Sequence, residues 1–265
     1  MYQSLAAEGG GGIDVYALDH HGHGRSDGEP RGYAEKFDHF VNDFVQFIEL
    51  TKQNMYISKG EPCPPLIIMG QSMGALIAVM ACLQLKNDVA GMILTGPAMG
   101  IDMSLEIKIQ KFFGPIIDAL IPKAKIVDAV DPKDLSRNTE AVQAYIDDPL
   151  CPGGKIVART AIGMDKAFDV VKERRGEVTC PILIVHGTED KTTSSKASLE
   201  FFANVGTPLE KKKYVRAPGL YHEIFEEPET DKLMEFILAF AKSGGKEFAE
   251  VEGDEKDGVV EVEFK

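Results

Sequence analysis

Short apolar runs recur along the chain, each followed closely by glycine, proline, aspartate or histidine. They are residues 13–18 (IDVYAL), 66–69 (LIIM), 92–95 (MILT), 182–185 (ILIV) and the stretch around 213–215. Continuous apolar character without alternation marks strands buried on both faces, as in parallel sheets. The intervening segments follow a different rhythm. Phe37, Phe40, Val41, Phe44, Val45 and Ile48 repeat at spacings of three and four, and Leu233, Phe236, Ile237 and Phe240 do the same near the end. Each set falls on one face of a helix. Strands alternating with helices predict an α/β fold, a mostly parallel sheet flanked by helices on both faces.

That rhythm breaks between Pro97 and about Lys166, where the pattern is helical with no clear strand. The break includes FFGPIIDALIP (112–122), a dense apolar stretch split by Pro115. An insertion between two strands predicts a helical cap over the carboxyl edge of the sheet, where ligands bind in this architecture. Phe112, Phe113, Ile116 and Ile117 either pack the cap onto the core or line a substrate pocket beneath it, and the two roles are compatible. The chain accordingly divides into a core of residues 1–97 and 167–243, a cap of 98–166 and a tail of 244–265. The stretch GDEKDGVVEVEFK (253–265) predicts a solvated, disordered tail.

Composition narrows the partners. With 265 residues, 44% of them hydrophobic, the chain can bury one sizeable core. A net charge of −13 argues against a nucleic-acid partner, which needs clustered cations to displace counterions. No run approaches the roughly 20 apolar residues that span a bilayer. The opening MYQSLAAEGGGG lacks a basic region followed by an apolar one, so it does not read as a signal peptide. Cys63, Cys82, Cys151 and Cys180 are scattered, as expected for reduced thiols in a cytoplasmic protein. His20, His21 and His23 sit with Asp19 in DHHGHGRSDG, which reads as a turn after a strand and not as a metal site. No Gly-x-Gly-x-x-Gly fingerprint is present, and no cofactor is expected. Lys211, Lys212 and Lys213 read as a short solvated strand entry and not as a patch for an anionic membrane.

The chemistry concentrates in LIIMGQSMGALIAVMA (66–81). A buried strand runs into Gly70-Gln71-Ser72-Met73-Gly74 and then into an apolar helix, the setting in which Gly-x-Ser-x-Gly forms a nucleophile elbow. The helix N-terminus aims free N–H groups at the same spot, and the Met73 N–H is the natural first donor to an oxyanion. A serine hydroxyl needs a base, and the base needs an orienting carboxylate. With such an elbow the order along the chain is serine, acid, histidine. Of the six histidines, His20, His21, His23 and His39 precede the serine, and His186 precedes any acid loop. His222, in the loop APGLYHEIFEEPE, remains as the base. Asp190, in HGTEDKTT after a strand, is the acid candidate, with the adjacent Glu189 as its substitute.

With those residues in place, the chain resembles the monoacylglycerol lipase-like branch of the α/β-hydrolases, which includes lysophospholipases and serine-aminopeptidase-like members. The stretches that carry the resemblance are DHHGHGRSDG, GQSMGA, LSRNTEAVQAYIDDPL, ILIVHGTEDKTT and GLYHEIFEEPE, spread from about Tyr2 to Phe240. The resemblance implies an α/β-hydrolase fold and a cytoplasmic or membrane-surface hydrolase without a cofactor. Its expected substrate is a small acyl ester such as a monoacylglycerol or lysophospholipid, and Ser72, Asp190 and His222 fall on the family's triad positions. Peripheral membrane contact would run through the cap.

One departure stands out. Family members carry further strands and a His-Gly loop whose backbone supplies the second oxyanion N–H, and no counterpart is found in this sequence. The missing strand would lie between residues 13–18 and 66–69. Its loss predicts a gap of about one strand width, roughly 5 Å. The departure predicts an N-terminally truncated member, and the sequence supports three readings: an ester hydrolase, an acyltransferase or other ester or amide hydrolase, and an impaired or inactive truncated form that acts by binding.

Overall fold

The computed structural model describes residues 12–100, 119–128, 130–151, 153, 155–249 and 255–262. Its principal elements are α1 (Phe37–Met55), β1 (Ile67–Gln71), α2 (Met73–Leu85), β2 (Gly91–Thr95), β3 (Lys125–Asp128), α3 (Thr139–Asp147), β4 (Lys155–Val157), α4 (Ala158–Arg174), β5 (Ile182–Gly187), α5 (Ser195–Asn204), β6 (Lys212–Ala217), α6 (Thr230–Lys242) and β7 (Val259–Glu261). Five strands form one parallel sheet in the order β1-β2-β5-β6-β7. Parallel neighbours require crossover connections, and helices supply them.

Every residue of β2 and β5 is buried, because alternate side chains point into different cores. Met92, Leu94, Ile182 and Ile184 pack with Phe40 and Val41 of α1, Leu76 and Val79 of α2, Phe168 of α4 and Phe201 and Phe202 of α5. Ile93, Leu183 and Val185 face the opposite way, onto Leu233, Phe236, Ile237 and Phe240 of α6. From Ala75 to Leu83, α2 is buried on all sides, which is why its sequence has no polar face. That burial fixes the helix directly behind the elbow serine.

Three expectations need correction. Residues 13–18 are not a strand. Strand pairing needs a neighbouring edge, and this segment instead lines a cavity of about 560 Å³ with β1 and with Phe44, Phe47 and Ile48. The insertion is not wholly helical, since β3 and β4 pair antiparallel within it. Runs of four and three residues are too short to declare a period in the sequence. The cap boundary drawn at 166 falls within a helix. Helix α4 runs unbroken through that point, and Thr160 in its first turn bonds Gly32 O and the Ala34 N–H, at 2.9 and 3.0 Å. Finally, the expected tail supplies β7, which pairs with β6 and buries Val260, followed by the buried Val262.

The histidine turn packs against α1. His20 lies edge-on to Phe40 and Phe44, at ring separations of 5.6 and 6.2 Å, and His23 meets Phe40 at 5.6 Å. Burial, helped by the neighbouring His23 charge, pushes the His20 pKa down to about 4 against the pull of Asp43 and Asp19. Among the described residues no three metal-ligating side chains converge.

Candidate active site

The elbow forms where β1 ends and α2 begins. Ser72 carries φ 51° and ψ −122°, a region non-glycine residues avoid, and its side chain does not cap the helix it precedes. The hydroxyl is thus not spent on the backbone. Two backbone bonds pin the strained residue: its N–H donates to Thr95 O at 3.1 Å, and its carbonyl accepts from the Ala98 N–H at 3.2 Å. Met73 opens α2, so its N–H belongs to the free first turn of the helix.

The two flanking glycines are not equivalent. A Cβ on Gly70 would stand 2.3 Å from the Gly74 carbonyl oxygen, whereas a Cβ on Gly74 meets nothing within 4 Å. Gly70→Ala is therefore expected to disrupt the elbow. Gly74→Ala is expected to keep activity and to gain up to about 1 kcal/mol from helix propensity. Denaturation midpoints and ester turnover of the two variants check this. Equal damage from both would contradict it.

Asp190 follows β5 with its side chain fully enclosed. Its Oδ1 accepts from the N–H groups of Thr192 and Thr193, at 2.8 and 2.9 Å. Its Oδ2 accepts from the Thr193 hydroxyl at 2.7 Å and lies 2.8 Å from His222 Nδ1 and 3.2 Å from His186 Nε2. Burial alone would raise this carboxyl. The bonds from His186 and His222, the His222 charge and the Thr193 N–H outweigh it and hold the group well below the usual carboxylate range. Glu189 is exposed, so only Asp190 faces an imidazole.

His222 is buried, in the loop after β6. Glu227, whose side chain is fully enclosed, orders that loop. It accepts the Tyr221 N–H at 3.1 Å, the Arg137 N–H at 3.1 Å and Arg137 Nε at 2.7 Å. The Glu223 N–H donates to Leu135 O at 2.7 Å, and the Ser136 hydroxyl donates to Glu226 O at 3.0 Å. These bonds tie the insertion to the histidine loop.

Serine and histidine border the same short segment. Ser72 bonds residues 95 and 98, and a Cβ on Gly96 would lie 3.2 Å from His222 Nδ1 and 3.3 Å from Asp190 Oδ2. Gln71 Nε2 donates to Glu223 Oε2 at 2.6 Å, joining the immediate neighbours of Ser72 and His222. The arrangement can accept a serine proton on an imidazole oriented by a buried carboxylate.

Phe112, Phe113, Ile116 and Ile117 lie outside the described residues. Sequence reasoning missed three side chains here. His186, excluded as the base, is a second imidazole on Asp190, and its Nδ1 lies 2.8 Å from Ser198 Oγ, itself 2.8 Å from the Tyr214 hydroxyl. The four-residue spacing from strand end to acid in HGTED was the available signal. Glu223 and Glu227 gave none beyond their closeness to His222.

The parallel sheet, the helices on its two faces and the strained serine between β1 and α2 define an α/β-hydrolase. A profile of the family described as serine aminopeptidase, S33, matches residues 2–229. The chain belongs to that family. It is 32% identical to a monoacylglycerol lipase of Mycolicibacterium smegmatis, over 89% of this chain and 80% of that protein. A monoglyceride lipase of Rattus norvegicus is 27% identical, over 80% of this chain and 67% of its own. The crystal structure of Paleococcus ferrophilus monoacylglycerol lipase shares the fold, with a TM-score of 0.70 at 24% identity, covering 84% of this chain and 80% of that one.

Proposed function

We propose that the chain hydrolyses the carboxylic ester of a lipid-like substrate, a monoacylglycerol or lysophospholipid, through an acyl-serine intermediate. One observation carries the reading: a serine held in a strained elbow and a buried His222–Asp190 pair, with an Nδ1–Oδ2 distance of 2.8 Å, border the same segment, 95–98. His222 takes the Ser72 proton as the hydroxyl attacks the ester carbonyl, while Asp190 fixes the tautomer and stabilises the imidazolium. The Met73 N–H donates to the developing oxyanion. The proton then passes to the leaving alcohol, and water activated by the same imidazole releases the acid.

The names of the relatives support a lipid substrate. The apolar run 112–122 of the sequence supports one as well, since each methylene buried against such side chains contributes about 0.8 kcal/mol. Among the described residues no helix is long and apolar enough to cross a membrane. Leu120, Ile121, Ile146 and Leu150 of the insertion are exposed, which supports contact with a lipid surface through the cap.

Titration of fatty acid released from 1-oleoylglycerol and from a lysophosphatidylcholine tests the proposal. Steady release from either substrate is expected. No release from both, under conditions where the chain is folded, would count against it. Acyl transfer to added glycerol in place of release would favour a transferase.

A further inference from the structure

We propose that Glu223 recognises the head group, accepting hydrogen bonds from the hydroxyls of a neutral polyol ester and disfavouring an anionic phosphate in the same place. The inference rests on the triad reading and deepens it by choosing between the two lipid classes.

The chemistry fixes where the head group must lie. His222 hands its proton to the leaving alcohol, so that oxygen sits at the imidazole and the rest of the alcohol extends beside it. Glu223 is the next residue along the chain. Its carboxyl is bonded to Gln71, the residue before Ser72, at 2.6 Å. The Glu223 carboxyl is therefore bonded to the immediate neighbour of the nucleophile and lies within electrostatic reach of His222 and Asp190.

Its bonding leaves capacity for a ligand. An ionised carboxylate offers about four lone-pair sites. Among the described residues, Gln71 is the hydrogen-bond donor to this side chain. Burial pushes the Glu223 carboxyl up, and the charges of Glu226 and Asp190 add to that against the pull of His222 and Gln71. A partly desolvated carboxyl of this kind gains from each hydroxyl that replaces lost water.

The surroundings favour a neutral polar group. The insertion brings Tyr145 and Cys151 within electrostatic reach of Glu223: burial, then Cys151 and this carboxylate, push the Tyr145 phenol up, and burial, then Asp148 and this carboxylate, push the Cys151 thiol up. Asp190 and Glu226 add negative potential. Arg137, at the same junction, is already engaged by Glu227 and Glu229. Lys191, over the Tyr221 ring, is paired with Asp134. Among the described residues, a phosphate entering here would therefore meet the carboxylates of Glu223, Asp190 and Glu226 ahead of an unengaged cation.

The test uses three oleoyl esters that differ only in the alcohol: 1-oleoylglycerol, methyl oleate and 1-oleoyl-lysophosphatidate. Glu223→Met removes the acceptor. It should lower the kcat/KM ratio of 1-oleoylglycerol to methyl oleate about ten-fold or more, the size of one hydrogen bond to a charged group. Glu223→Gln keeps an acceptor for Gln71 but removes the charge. It should raise the ratio of lysophosphatidate to 1-oleoylglycerol. A purely structural role would move all three substrates together, so unchanged ratios overturn the proposal whatever happens to absolute rates. Fluorophosphonate labelling of the unaltered chain at Ser72 separates the two levels. Failure to label removes the triad reading, and this inference with it. Labelling with unchanged ratios removes the head-group role alone.

Discussion

Ser72→Ala is expected to abolish ester turnover, lowering kcat by about 10⁴-fold or more while leaving the chain folded. Loss of the hydroxyl removes the only atom that can carry the acyl group in this scheme. Residual rate would come from the Met73 N–H and from substrate positioning alone. The backbone bonds that pin residue 72, to Thr95 O and from the Ala98 N–H, do not involve the side chain, so they survive the change. The Ser72 hydroxyl does not cap α2, and thermal midpoints of variant and parent should therefore agree within a few degrees. Hydrolysis that persists at more than about a hundredth of the parental rate would locate the nucleophile elsewhere.

The second large effect is expected from Asp190→Asn, a loss of about 10⁴-fold in kcat. The amide keeps the size of the carboxylate, and its oxygen can still accept from the N–H groups of Thr192 and Thr193. Its NH₂, however, points at His222 Nδ1 and His186 Nε2, where Oδ2 now lies at 2.8 and 3.2 Å. A donor there forces His222 into the tautomer with the proton on Nε2, which cannot accept from serine. Stability changes with pH in a defined sense. The folded Asp190 carboxyl titrates below its unfolded value, so its contribution is present above that value and is lost as pH falls. The gap in thermal midpoint between parent and variant should be wide at pH 7 and close toward acid. A gap that widens toward acid would mean that the carboxylate is not stabilised as described.

The sequence was most readable where burial is uniform. Strands β2 and β5 are apolar at nearly every position because both of their faces are covered. Helices α1 and α6 bury the very residues that repeat at three and four, Phe37, Phe40, Val41 and Ile48 in one and Leu233, Phe236, Ile237 and Phe240 in the other. The elbow was legible because its chemistry demands a local pattern: a strand, a tight turn and a helix within sixteen residues, 66–81.

What escaped depends on distant partners. Residues 13–18 have the composition of a strand, but pairing is a property of two segments, and this one borders a cavity. Strand β7 hides in an acidic stretch, where Val260 and Val262 alternate with Glu261 as a half-buried edge requires. Glu227 reads as one more surface acid until the fold brings Arg137 to it from ninety residues away. His186 was judged only as a possible base. Its contact with Asp190 is local, but its other nitrogen meets Ser198 on α5.

The central claim is that Ser72 is activated by an imidazole that Asp190 orients. Reaction with a fluorophosphonate probe, followed by mass mapping of the modified peptide, tests it most directly. The account predicts a single adduct on Ser72 in the parent chain, absent from Ser72→Ala and formed at least a hundred-fold more slowly in a His222→Ala variant that remains folded. An adduct on another residue, or labelling of Ser72 at the same rate without His222, would contradict it.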